Sequence, residues 1–358
     1  MTALAVAFLL ACAPGRADTL RIATFNAELD RDGPGLLLRD IRDGDDPQVT
    51  AVADVVARVA PDILVLQNVD YDHGLVALRA LRDRVARDGP RYAQVFALAP
   101  NAGVATGLDM DGDGRRGRRS DKQSFGAFAG QGGMALLSRW PVARDQVRDF
   151  SGMLWRDLPG AIMPARQDGT PFPSRRAAAR QRLSSVGHWV VPLDLPGGIF
   201  HVLAFHAAPP VFDGPEDRNG RRNHDELRFW PLFLDGRFGP APEGRFVLAG
   251  AANIDPVDGE GRKAGIRGLL AHPRLQDPLP RRPAPVPAQP EQAGDPALDT
   301  VHWPPPGPGL FRVDYLLPSS DLRVIDAGIH WPPRGTPAGD VAAQASRHRM
   351  VWVDIAVP

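Results

Sequence analysis

The sequence predicts a mixed α/β protein in which two packed sheets carry helices on their outer faces. Three observations lead there. Seven short segments alternate apolar and polar residues at the period of a strand, other segments carry apolar stripes at helical spacing, and long stretches containing proline and glycine separate them. The strand segments are LRIATFNAEL (20–29), DILVLQNV (62–69), GMALLSRWPV (133–142), GIFHVLAFHAA (198–208), RFVLAGAANI (245–254), FRVDYLLP (311–318) and HRMVWVDIAV (348–357). Helices are expected where Val49, Val52, Val56 and Val59 form one stripe, with Asp46 as N-cap and Pro47 at the first helical position. A second stripe joins Leu75, Leu78, Leu81 and Val85 and stops at Asp88-Gly89-Pro90. A third helix is expected over His224–Leu234, interrupted by Pro231.

Composition sets outer limits. The chain has 358 residues, 43% hydrophobic and 23% charged, enough for a large core. Lys+Arg and Asp+Glu both number 42, so no overall field draws the protein to nucleic acid or an anionic membrane. The opening MTALAVAFLLACAPGRADTL resembles a secretory signal peptide over residues 1–17, cut after Ala17, although it lacks a basic start. This points to a secreted or periplasmic protein. Leu-Leu-Ala-Cys ending at Cys12 also fits a lipoprotein anchor loosely. Cys12 is the only cysteine, so the mature chain forms no internal disulfide. No later apolar run is long enough to span a bilayer. Residues 18–358 are expected to form one domain with surface insertions near 101–124, 151–178 and 278–306, the last of these rich in proline. The oligomeric state leaves no mark in the sequence.

The strands end in polar groups. Asn26 closes ATFN, Asn68 closes LVLQN, His206 closes LAFH, Asn253 follows LAGAA, Asp314 stands in VDYLLP, and His348 opens the last segment. In this order and strand context the chain resembles the endonuclease/exonuclease/phosphatase superfamily, the DNase I-like metal-dependent phosphoesterases, over roughly residues 20–357. The resemblance implies a four-layer α/β/β/α sandwich of two mostly antiparallel sheets, and hydrolysis of a phosphoester by a water activated beside a divalent cation. It also implies carboxylates at three positions where this chain has others. The metal-binding glutamate of the family's LQE motif falls on Asn68, the water-activating aspartate of GDxN on Ala251, and the aspartate of SDH, read as the orienter of the histidine, on Arg347. Asn26, His206, Asn253 and His348 remain.

Losing three carboxylates and gaining a guanidinium leaves little to hold a dication. A general base alone is commonly worth ~10²–10⁴-fold in rate. The expectation is therefore an impaired phosphoesterase with no cofactor, whose remnant pocket binds a phosphate-bearing small ligand. Arg347 and the nearby Arg218, Arg221 and Arg222 are the expected anion-binding groups. One rival reading is an active Mg²⁺- or Ca²⁺-dependent phosphoesterase whose ligands moved to Glu28, Asp70, Asp72, Asp255 or Asp258. The other is an interaction scaffold without a small ligand. Separately, Asp109, Asp111 and Asp113, followed by Gly114, make the opening half of a calcium loop without its closing glutamate.

Overall fold

The computed structural model of the chain describes residues 18–284 and 288–357. The leader, Cys12 and its cleavage point lie outside the described residues. The elements are β1 (Asp18–Leu29), α1 (Leu36–Asp43), α2 (Pro47–Val59), β2 (Ile63–Val69), α3 (Val76–Val85), β3 (Gln94–Phe96), β4 (Gly133–Ser138), β5 (Arg148–Asp149) and α4 (Arg175–Ala178). They continue with β6 (Gly187–Leu195), β7 (Gly198–His206), α5 (Arg218–Leu234), β8 (Phe246–Ala251), α6 (Lys263–Leu270), β9 (Val301–Trp303), β10 (Gly309–Phe311), β11 (Asp314–Pro318), β12 (Val324–Ile329), α7 (Pro337–Ala345) and β13 (Val351–Val357).

One sheet runs β12-β13-β1-β2-β4-β3, the other β11-β8-β7-β6-β5, and β9 and β10 make a separate hairpin. Only β1 with β2 and β7 with β8 pair in parallel; the remaining pairs are antiparallel. Alternation explains the layering. Leu20 and Ile22 of β1 pack inward with Val65, Leu136, Trp189, Val191, Val202, Val247, Leu316 and Val353, so both sheets share one core. Ala23, Phe25, Leu64 and Leu66 point outward beneath Val49, Val52, Val56, Leu78 and Leu81 of α2 and α3. On the opposite side Leu203, Phe205 and Leu248 lie under Phe229, Trp230, Ile266 and Leu269 of α5 and α6. The order is thus helix, sheet, sheet, helix.

Local chemistry sets the boundaries. Asp46 caps α2 by accepting from Val49 N, and Pro47 opens the helix. The third helix begins six residues earlier than expected, at Arg218, and runs through Pro231. The segment 311–318 divides, because Val313 N and Asp314 N both donate to Thr300 Oγ1 and Arg312 N to Asp255 Oδ2 rather than to a neighbouring strand.

The inner faces change character along the strands, and this positions the site. On β1 the inward residues read Leu20, Ile22, Thr24, Asn26; on β2 Ile63, Val65, Gln67; on β7 Val202, Ala204, His206; on β8 Val247, Ala249, Ala251. Each becomes polar or small at its C-terminal end. These ends lie at one edge of the shared core, where antiparallel β11 and β13 begin.

Candidate functional site

At that edge a row forms across the second sheet, with His206 paired to Ala251 and Ala251 to Asp314. His206 is buried and its Nδ1 has no partner among the described residues. Burial, with a smaller contribution from the charge of His348, pushes its pKa down to about 3, so the ring is neutral. Asp314 is also buried, and one carboxylate oxygen, Oδ1, is unpartnered. Its Oδ2 accepts from Thr300 Oγ1 and from His348 Nδ1, both at 2.8 Å.

The sequence reading of position 347 is corrected here. Arg347 does not mark the loss of the histidine's orienter, because the carboxylate that holds His348 is Asp314 and it is present. With a proton on Nδ1 facing Asp314, Nε2 accepts from Asn26 Nδ2 at 3.3 Å. Asn26 Oδ1 in turn accepts from Asn68 Nδ2 at 2.9 Å. A directed chain therefore runs Asn68 to Asn26 to His348 to Asp314. Neither asparagine can supply the charge of a carboxylate.

Asn68 reaches this chain through a backbone irregularity. Strict alternation aims Gln67 inward, where it bonds Thr24, and would aim Asn68 outward. Instead Asn68 has φ +53°, and the β2–β4 register shifts around it, turning its side chain inward. Gly132 packs there with φ +58°, and a Cβ on it would stand 3.1 Å from Asn68 Oδ1. Glu28 (φ +50°) and Asn253 (φ +53°) adopt the same left-handed conformation at the ends of their strands. Asn253 Nδ2 donates to Ala207 O at 2.8 Å, beside His206.

Glu28 changes the electrostatics. It accepts from Arg347 N and Nε, both at 2.8 Å, from Arg347 Nη2, and from Ser346 Oγ at 3.1 Å. Burial raises its pKa, but the hydrogen bonds and charge of Arg347 and the proximity of His348 outweigh that and hold it below the usual carboxylate range. The guanidinium of Arg347 is thus paired, not free, and the acid beside His348 is engaged by it.

The other acids that the sequence offers as relocated ligands are engaged by backbone. Asp70 accepts from Arg31 N and Gly132 N at 3.0 Å each, and burial raises its pKa to about 6. Asp72 caps Val76 and Ala77. Asp255 accepts from Val257, Asp258 and Arg312 N–H, and Asp258 from Ala293 and Gly294 N–H. With Ala251 and Asn68 in place and Glu28 ion-paired, the donor set does not fit a divalent cation. Among the described residues the one convergent acidic group lies elsewhere, at Asp109, Asp111 and Asp121. That corrects the calcium-loop reading: Asp113 turns away to Arg118 at 2.8 Å, and buried Asp121 replaces it. Asp109 and Asp121 already accept N–H groups of Gly112, Gly114, Met110 and Arg118.

The expected arginine rim is also corrected. Arg222 is buried and donates to the carbonyls of Arg182, Leu183 and Ser184; Arg218 donates to Met110 O and Arg221 to Glu216 O. They hold loops together. Sequence reasoning missed Thr300 and Ser346, and it noted Asp314 among the polar strand ends without giving it a role.

The family model of the Endonuclease/Exonuclease/phosphatase family matches residues 23–348. An endonuclease/exonuclease/phosphatase structure from Beutenbergia cavernae DSM 12333 is similar, with TM-score 0.54 and 19% identity over 95% of this chain and 72% of that one. A family protein from Leptotrichia buccalis C-1013-b gives 0.51 and 13% over 94% and 100%, and truncated Caenorhabditis elegans TDP2 gives 0.50 and 15% over 95% and 98%. No curated protein matches the sequence. No helix among the described residues is long and apolar enough to cross a membrane. From the match over most of its length and the shared fold, the chain belongs to the Endonuclease/Exonuclease/phosphatase family.

Proposed function

We propose that this family member is a hydrolytically silent protein that uses the remnant pocket to bind a small phosphate-bearing ligand. One observation carries the reading: the acid beside the retained histidine, Glu28, is bound by the guanidinium of Arg347. Paired in this way, Glu28 presents no uncompensated negative charge beside His348. Such a pocket sets a neutralised acid and asparagine amides before an oxyanion, and it has Ala251 where the family's water-activating aspartate would stand. Without Arg347 the same anion would face Glu28 directly.

The test is Asn68→Glu/Ala251→Asp/Arg347→Asp beside the wild type, with bis-p-nitrophenyl phosphate and Mg²⁺. We expect wild-type rates at background, and hydrolysis in the triple variant that EDTA abolishes. Robust EDTA-sensitive turnover by the wild type would overturn the reading. The retained His348–Asp314 pair favours one alternative, a phosphoesterase with relocated ligands, which requires Asp255→Ala to reduce that turnover. Its weakness is that both Asp255 oxygens already accept backbone N–H groups. The apolar leader supports export with cleavage after Ala17, which N-terminal sequencing of the mature protein reads directly.

A further inference from the structure

Next to His348, on the side of the β9–β10 hairpin, the chain gathers basic groups with few acids to match them. Trp303 of β9 sets its ring against His348 edge to face, centroids 5.7 Å apart. His302 N donates to Arg347 O at 3.0 Å and Arg349 N to Thr300 O at 2.7 Å, so Arg349 lies alongside β9. The guanidiniums of Arg282 and Arg349 both lie over the Trp331 ring, at 3.7 and 4.6 Å from its centroid. Arg334 Nη2 comes within 3.3 Å of His302 Nδ1 at the surface. Asp299 is the near acid. Its Oδ2 stands 3.7 Å from Arg282 Nη2, too far for a hydrogen bond, and accepts from Gln292 Nε2 at 3.0 Å.

Several N–H groups here lack acceptors. Arg282 Nε and Nη2 and Arg349 Nε are buried and without hydrogen-bond partners among the described residues. The Arg282 side chain is 5% exposed. Arg349 does direct Nη1 to the carbonyls of Ser346 and His348. The crowding makes the local field positive. Burial lowers the pKa of Arg349 to about 10, with further lowering by Arg334 and Arg282, and Glu28 opposing weakly. Burial and the same three arginines lower His302, while burial, Arg58 and Arg349 bring His330 to about 4.

Unmatched charged donors that are buried cost free energy, and guanidiniums that repel one another add to that cost. An anion with several oxygens removes both penalties at once, because each arginine fork can donate to it in parallel. We propose that Arg282, Arg334 and Arg349, with His302, form a second oxyanion site beside the pocket, for a multiply charged group of the phosphomonoester or pyrophosphate class. Arg334 and His302 provide its solvent-facing side, and Trp331 holds the two inner guanidiniums in place by contact with its ring. The site stands whether or not the first pocket binds phosphate.

The experiment uses the full chain and inorganic pyrophosphate, followed by titration calorimetry and by the shift in unfolding temperature. In the Arg347→Gln protein, which disables the first pocket, pyrophosphate binding and stabilisation persist. Adding Arg334→Gln to that protein weakens binding about tenfold or more. Arg334 is exposed, so its replacement leaves folding intact; Arg282→Met keeps an apolar stem on Trp331 and gives a similar loss. Absence of pyrophosphate binding in Arg347→Gln protein overturns the proposal, as does unchanged affinity after Arg334→Gln. If instead binding survives Arg347→Gln and Arg334→Gln removes it, the second site stands even where the first reading fails.

Discussion

His206 shows how much one buried side chain can report. The ring sits in the inner face of β7 and stays neutral, with a pKa near 3 in the fold against 6.5 when unfolded. Because the folded value lies below the unfolded one, its contribution is complete above pH 6.5 and is lost as pH falls toward 3. Each unit of pH in that window costs up to about 1.4 kcal/mol for one such proton. The buried carboxyls Asp70 and Asp299, both raised to about 6, act in the opposite direction, so the wild-type profile is a sum. The difference between proteins isolates the ring. His206→Gln should flatten the dependence of unfolding temperature on pH between 6.5 and 4, and identical slopes would show that the ring is not held neutral. By contrast, the Glu28–Arg347 pair is half exposed through Arg347, so it contributes charge placement more than stability.

At the scale of elements, α5 supports the site from behind. Its Glu226 is wholly buried and accepts from Ser185 N at 2.5 Å, Ser185 Oγ at 2.7 Å and Ala208 N at 2.7 Å. His206 O lies 3.1 Å from the same Ser185 Oγ, a longer alternative acceptor for its one proton. One carboxylate thus ties the segment before β6 to the segment after β7 and holds His206 between them. Burial raises the pKa of Glu226, and Arg222 and these N–H donors oppose the rise. Glu226→Ala leaves several buried donors without acceptors and should cost roughly 3–5 kcal/mol, read as a fall in the urea midpoint at pH 7. A change under about 0.5 kcal/mol, the ordinary size of a surface substitution, would show the clamp is not structural.

Some elements were legible from their patterns and others were not. The alternation of β1, β2, β7, β8 and β13 was plain, as was the capped stripe of α2. The nine-residue β6 was passed over because Pro192 stands inside a run that is buried on both faces, leaving no alternation to read. The short α7 is mostly Ala and Gly, and its place is set by packing of Ala342 and Ala345 on the first sheet's helical layer. Pro231 was expected to interrupt α5, yet apolar burial of Leu227, Phe229, Trp230 and Phe233 holds the helix through it.

For the molecule as a whole, the core shared by the two sheets has a thermodynamic consequence. Ile22, Val65, Val202, Val247 and Val353 come from both sheets and from both ends of the chain, so neither sheet can lose its partner and keep its inner face dry. Residues 18–358 should therefore unfold in one cooperative transition, with calorimetric and van't Hoff enthalpies agreeing; two resolved transitions would refute this. The same architecture gathers polar strand ends at one edge of the core and leaves a basic flank beside them, although acidic and basic residues balance over the whole chain.

What the amino-acid sequence determined by itself was everything with a short period: strand faces, the α2 cap, and polar residues at strand ends. These are read from neighbours two to four residues apart, where backbone geometry alone relates side chains. Pairing across the chain was left to the tertiary structure. Glu28 meets Arg347 across 319 positions and His348 meets Asp314 across 34, because β1 lies antiparallel to β13 and the second sheet faces them. Only that packing decided that the histidine has a carboxylate partner, that the guanidinium is already paired, and that Asp70, Asp72, Asp255 and Asp258 serve the backbone. Charge acts through space, and separation in space is fixed only when the sheets close on each other.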